Sequence, residues 1–372
     1  MISHVFSASS ILQLETRIEE FKLGGFNPRI AFVFCAEAFD ADEILEVFRK
    51  YGIEVFGAST AGEISNGKSF HGTISVQLMD ISPETFSINI FDRNTSSSFQ
   101  AGKEAGTWAC TIFDNPTLLV SSSGWDADGD QLIEGIKCGA GNSVQVSGGF
   151  AGNDVHQDRD TLAFGTPGIT NRGLVCLVFD QEKIKLSGIT VGGWKGIGTK
   201  KTITRSLGNI VFEIDDQPVI EVYKKYLEVE SSLDISRSNE TGLLVERPDG
   251  SAVMRAAFLV NDDKSILYAG SMPEGAKIRF CISSSQEVLT QTIEQLKEFQ
   301  KKVPDADAGI LFSCISRLQT VGSLVEKETM SISDLWKIPY NGFFSFGEFG
   351  PGSTGLSDFH NFTLSLVLIK EN

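Results

Sequence analysis

The stretch GEISNGKS (Gly62–Ser69) decides between two folds. It fits G-x-x-x-x-G-K-[ST], the pattern of a loop in which backbone N–H groups and a lysine hold phosphates while the hydroxyl holds Mg²⁺. Such a loop needs a strand before its first glycine and a helix beginning at Lys-Ser, because the helix N-terminus helps hold the anion. The strand is there: VFGAS ends at Ser59. The helix is not. FHGTISVQLMD follows, with the alternation of a strand. Asp80, in the place of a second acid, arrives with no helix between. Asn66-Gly67 therefore reads as a tight turn with Lys68 in solvent, and nucleotide hydrolysis is not expected.

Outward from this stretch the chain repeats itself. IAFVFC-AEAFD leads to a helix, then VFGASTAGE, then the strand TISVQLMD. TLLVSS-SGWDADGD leads to a helix over 131–137, then VQVSGGFAG, then LVCLVFD. GILFSC-ISRLQ leads to a helical stretch ending near Trp336, then YNGFFSFGE, then FTLSLVLI. Each copy is an apolar strand, a polar loop, a helix, a glycine-bearing strand end and another strand, so one supersecondary unit is reused. Thr60-Ala61-Gly62-Glu63 aligns with Ser345-Phe346-Gly347-Glu348. Further helices are expected at 10–22 and 285–302, each opened by a capping box, after Asp40, and from Pro218. TITRSLGNIVFEI reads as a strand pair, and 228–240 as a loop or short helix. The fold class is α/β: two domains, 28–208 and 209–370, built from repeated strand–loop–helix–strand units with mixed sheets flanked by helices.

The charge of −16 leaves no broad electrostatic footprint for nucleic acid and suits anionic membrane surfaces poorly. No apolar run approaches the roughly 20 residues of a spanning helix. The N-terminus lacks a basic segment followed by a long apolar one, so it does not read as a signal peptide. The six cysteines are scattered and form no CxxC. They read as reduced thiols of a cytoplasmic protein. The four histidines show no zinc-ligand spacing. Asp126, Asp128 and Asp130 resemble an acidic calcium loop but lack its closing Glu, so a turn and helix cap is the simpler reading.

GASTAGEIS, GDQLIEGI with VQVSGGFAGND, and LFSCISR…YNGFFSFGEFGP…FHNFT together resemble the FIST (F-box and intracellular signal transduction) family, over about residues 28–368. TITRSLGNIVFEIDDQPVIEVYKKYL resembles the junction before the family's C-terminal domain. The resemblance implies tandem FIST N and FIST C domains and a sensory role toward small ligands, amino acids among them. It implies haem-based nitric oxide sensing in some members. About 28 residues precede the first repeated strand, so no F-box is expected, and output would pass through a separate signalling protein.

The family's C-terminal motif falls on Cys314, Arg317, Gly342, Phe346, Gly347, Glu348, Gly350, Pro351, His360 and Asn361, with Glu63 as the counterpart of Glu348. Arg317 follows a strand end, where open α/β sheets bind ligands. It could clamp a carboxylate while Glu348 meets an amine; alternatively the two pair with each other. Haem would need an axial residue, for which His156 and His71 are the loop candidates. An enzyme would use Cys314 or the paired acids. Cys314 lacks a trusted base, and no catalytic residue or metal site is assigned.

Overall fold

The computed structural model describes residues 1–93, 96–153, 160–228 and 242–372. Most of the expected loop at 228–240 lies outside the described residues. Each repeated segment forms the heart of one α/β unit.

Unit one comprises β1 (Ile2–Ala8), α1 (Ile11–Leu23), β2 (Ile30–Cys35), α2 (Ala41–Lys50), β3 (Glu54–Ser59), the hairpin β4 (Glu63–Ser65) and β5 (Lys68–Phe70), and β6 (Ile74–Asp80). Unit two comprises β7 (Phe86–Asp92), α3 (Ser98–Ile112), β8 (Pro116–Ser122), α4 (Gly129–Ala140), β9 (Gln145–Phe150), the hairpin β10 (Ala163–Gly165) and β11 (Gly168–Thr170), and β12 (Gly173–Asp180). Unit three opens with β13 (Ile184–Val191). An insertion follows: β14 (Lys195–Leu207), β15 (Ile210–Ile214), β16 (Gln217–Pro218), α5 (Val219–Leu227), β17 (Leu243–Glu246), β18 (Ala252–Arg255), β19 (Ala257–Val260), β20 (Ile266–Tyr268) and β21 (Lys277–Ile282). The unit resumes with α6 (Ser285–Lys302), β22 (Ala308–Cys314), α7 (Ile315–Val321), α8 (Val325–Trp336), β23 (Tyr340–Ser345), the hairpin β24 (Glu348–Pro351) and β25 (Ser357–His360), and β26 (Leu364–Glu371).

The three main sheets share one topology: β1-β6-β2-β3, β7-β12-β8-β9 and β13-β26-β22-β23. In each, the two central repeat strands run parallel and the return strand pairs antiparallel. The hairpins are exchanged in a ring. β4–β5 of unit one extends the sheet of unit three, β10–β11 of unit two extends that of unit one, and β24–β25 of unit three extends that of unit two. The P-loop-like stretch is thus an exchanged hairpin. Its two-residue turn, Asn66-Gly67, has φ of 46° and 88°, the positive pair that a tight hairpin favours, and Lys68 is exposed.

The inner faces of the three sheets meet in one core. Phe34, Phe312 and Phe343 cluster there, with ring centroids 4.7–6.3 Å apart. Unit two offers Gly149 at this point, where a Cβ would stand 3.0 Å from the Phe312 ring. The outer faces pack against helices. The insertion forms a separate eight-stranded sheet over α5, with its own core around Tyr223, Ile266 and Tyr268. The boundary read at 208/209 falls in the turn between the paired strands β14 and β15.

Helices α3 and α4 touch backbone to backbone through Gly102, Gly106, Gly135 and Gly139. A Cβ on Gly106 would lie 2.3 Å from the Ile136 carbonyl oxygen, and one on Gly135 would lie 2.1 Å from that of Phe99. Helix propensity alone would make Gly106→Ala stabilising by about 1 kcal/mol. The contact reverses the sign: we expect a net loss of about 1–3 kcal/mol in urea unfolding, the range for an overpacked core, and a gain would contradict this packing.

Candidate functional site

At one end of the ring the ends of β3, β9 and β23 bond to one another through their backbones. Gly152 N–H donates to Ser59 O (2.9 Å), Phe150 N–H to Gly347 O (2.8 Å) and Phe344 N–H to Gly62 O (2.8 Å). The small residues of GASTAGE, SGGFAG and FSFGE permit this approach.

The turn after β3 and the turn after β23 each bury an acid in the same kind of box. Glu348 accepts from Ser345 Oγ (2.7 Å) and from Thr363 Oγ1 (2.7 Å) and N–H (3.3 Å). Glu63 accepts from Thr60 Oγ1 and from Thr73 N–H (3.0 Å) and Oγ1 (2.9 Å). Both acids are fully buried. Burial pushes the Glu348 carboxyl up to about 8 against its hydroxyl donors, and pushes Glu63 up as well. These carboxyls tie a strand end to the start of the next strand.

Arg317 lies in the first turn of α7 and is wholly buried. Its partner is Glu328 of α8, which takes both Nε (3.3 Å) and Nη2. Nη2 also donates to Thr292 Oγ1 (2.6 Å), and Nη1 to the carbonyls of Val191, Gly192 and Phe362 at 3.2–3.4 Å. The guanidinium sits 5.7 Å from the Trp194 ring centroid. Its donors are thus committed to protein acceptors. The expected clamp on a ligand carboxylate, or pair with Glu348, is here a clamp that fastens α7, α8 and the end of β13.

The other expected residues are dispersed. Cys314 is buried and its thiol is pushed up to about 12, chiefly by desolvation, so it lacks the thiolate of a nucleophile. His360 faces Glu348 across the β24–β25 ladder. Burial lowers its imidazole to about 4, and its Nε2 has no hydrogen-bond partner among the described residues. Asn361 joins the insertion to the motif turn, accepting from Ala256 N–H and donating to Phe346 O, both at 3.3 Å. Gly347 packs under the Phe359 ring. Phe346 lies tilted against Trp125 (5.0 Å) and meets Phe258 (6.1 Å). His156 lies outside the described residues. His71 is exposed on the turn between β5 and β6, with its ring edge against Gly62. An axial ligand needs an apolar slot around the macrocycle, and this exposed turn does not fit one.

The concave feature that carries charge lies elsewhere. A cleft of about 850 Å³ opens between α4, the insertion and the β24–β25 hairpin. On its floor Arg255 donates to both oxygens of Asp130 (2.7 and 2.6 Å). Arg247 forks onto Asp358, with Nη2 at 2.8 Å from Oδ1, and its Nη2 also reaches Asp130 Oδ1 at 3.1 Å. Arg247 holds the Asp358 carboxyl below the usual range against the opposing effect of burial. Glu134, Glu246, Asp249 and Glu274 line the walls. Asp128 caps α4 through the N–H groups of Asp130 and Gln131, and Asp126 is held by Arg93 and Arg172. The acidic loop is therefore a cap and an ion-pair anchor.

The FIST N domain matches residues 29–217 and the FIST C domain residues 220–351. The chain belongs to the FIST family, whose domains are sensory, ligand-binding signalling domains. No curated protein matches it. Among solved structures it is similar to a cyanuric acid hydrolase from A. caulinodans, at 9% identity over 99% of each chain with a TM-score of 0.37, a level at which nothing carries over. None of the described helices is long and apolar enough to cross a membrane.

Two outcomes test these assignments. Arg317→Met should cost about 3–5 kcal/mol in chemical unfolding of the ligand-free protein, because Glu328 is left buried and unpaired; a residue reserved for ligand would leave that stability unchanged. Glu348 binds a proton on folding, since its folded pKa of about 8 exceeds the ordinary 4.5. Its contribution is therefore full below pH 4.5 and declines as pH rises toward 8. Glu348→Gln should flatten the fall in stability across that window, and an unchanged slope would refute the burial argument.

Proposed function

We propose that this protein is a sensory module that binds a small zwitterion, of the amino-acid class, in the charged cleft and passes the bound state to a separate signalling protein. The observation that carries this reading is the floor of the cleft. A fork-shaped cation, Arg247, and a ring of carboxylates stand within one concave surface, where a ligand carboxylate and a ligand amine each find a partner. Arg247 takes the role that the sequence suggested for Arg317. The walls come from both halves of the chain: Asp130 and Glu134 from unit two, Arg247 and Asp249 from the insertion, Asp358 from unit three. Occupancy would thus bear on how these parts sit together. All six cysteines are unpaired and two of them, Cys110 and Cys138, are exposed, which fits a reducing, cytoplasmic setting.

Titration calorimetry and thermal shift across the twenty amino acids test the reading. At least one should bind and raise the melting temperature, with a stabilisation of about 2.7 kcal/mol at one hundred times its Kd, and Arg247→Ala should remove the effect. Binding that survives Arg247→Ala, or a panel with no response, would overturn it.

A further inference from the structure

Resting on the cleft reading above, we propose that Arg247 is a switch. Its fork passes from Asp358 to the ligand's carboxylate, and the β24–β25 hairpin thereby loses its ionic tie to the β17–β18 turn of the insertion. Asp358 offers Arg247 the same two parallel N–H···O bonds that a ligand carboxylate would offer. The site therefore contains an internal competitor of the ligand's own chemistry.

The two arginines on the floor differ in a way that assigns the moving part. The Arg255 side chain is 1% exposed, bonds both oxygens of Asp130, and donates to the carbonyls of Met254 and Phe359. It is locked. The Arg247 side chain is 27% exposed and its partner Asp358 is 17% exposed. Arg247 stands at the turn between β17 and β18, closed by Arg247 N–H to Ser251 O (2.8 Å) and Gly250 N–H to Arg247 O (3.0 Å). Its stem can swing without disturbing a strand. When it leaves, Asp130 loses one bond of 3.1 Å and keeps both bonds from Arg255 and the N–H of Ser271. Asp358 keeps Arg255 as a charged neighbour and still accepts from Phe359 N–H (2.9 Å).

The hairpin has its own hold on unit two. Glu348 and Phe349 pair with Gly149 and Gly148 of β9, and Ser357 Oγ accepts from Val146 N–H at 2.8 Å. Among the described residues the Arg247–Asp358 pair is the ionic link from this hairpin to the insertion. Transfer of the fork leaves the hairpin on unit two and on Arg255, whose Nη1 donates to Phe359 O, and frees the β17–β18 turn beside it. An internal competitor reduces apparent affinity by the fraction of molecules in which the fork is available.

Asp358→Asn removes the competitor and leaves Arg247 in place. Glycine, the simplest zwitterion, and acetate, the simplest carboxylate, serve as probes by calorimetry, with hydrogen exchange followed over residues 348–360. Asp358→Asn should bind glycine about tenfold more tightly than the unaltered protein, and without any ligand should show the faster hairpin exchange that glycine induces in the unaltered protein. Asp358→Ser repeats the comparison if Asp358→Asn fails to fold. Equal or weaker binding by the variant overturns the switch and leaves the cleft standing. No response to either probe in either protein also overturns the switch, and the cleft falls with it if the twenty-amino-acid panel is silent too.

Discussion

Three strand ends that bond to one another through their backbones hold this molecule together. Each of β3, β9 and β23 ends in residues small enough for the neighbouring chain to approach, and each then runs into a hairpin or loop that leaves its own unit. Because the hairpins travel in one rotational sense, every main sheet is completed by a strand pair from a different unit. The first unit depends on the second, the second on the third, and the third on the first. The tandem family domains follow one another in sequence, but the ring formed by the units crosses their boundary.

This constraint explains where charge is placed. Buried charges must be paired or neutral, and here both solutions occur at the joints between elements. Arg317 is matched by Glu328 and four further acceptors where α7, α8 and β13 meet. Glu63 and Glu348 are boxed by hydroxyl donors at equivalent turns, and raised carboxyl pKa values favour the neutral form. Outside the ring, the cleft keeps its charges partly wet, and partly wet pairs can exchange partners.

Much of the architecture was legible. The three repeated segments announced the three sheets because a buried parallel strand is a near-continuous apolar run, as in IAFVFC and GILFSC. Asp40 and Ser284 marked helix starts because an N-cap side chain acts on the N–H groups just after it. Helix α3 was not legible from apolar spacing. Its buried face is Ala101, Gly102, Ala105, Gly106 and Ala109, a stripe of small residues that packs by shape. The destination of the hairpins was hidden because strand exchange is a long-range choice. The charged cleft was hidden for the same reason: Arg247 and Asp358 lie 111 positions apart and Arg255 and Asp130 lie 125 apart. Arg317, by contrast, stood in a motif, and its partner Glu328 eleven positions on was the pair to suspect.

The central claim is that the ring closes across the two family domains. A ¹H–¹⁵N correlation spectrum of residues 1–208 expressed alone tests it most directly. That fragment lacks the β24–β25 hairpin that completes the sheet of unit two, and it lacks the sheet that receives β4–β5. The account predicts a collapsed spectrum, with dispersion restored when residues 209–372 are supplied. A dispersed, native-like spectrum from the fragment alone would contradict it.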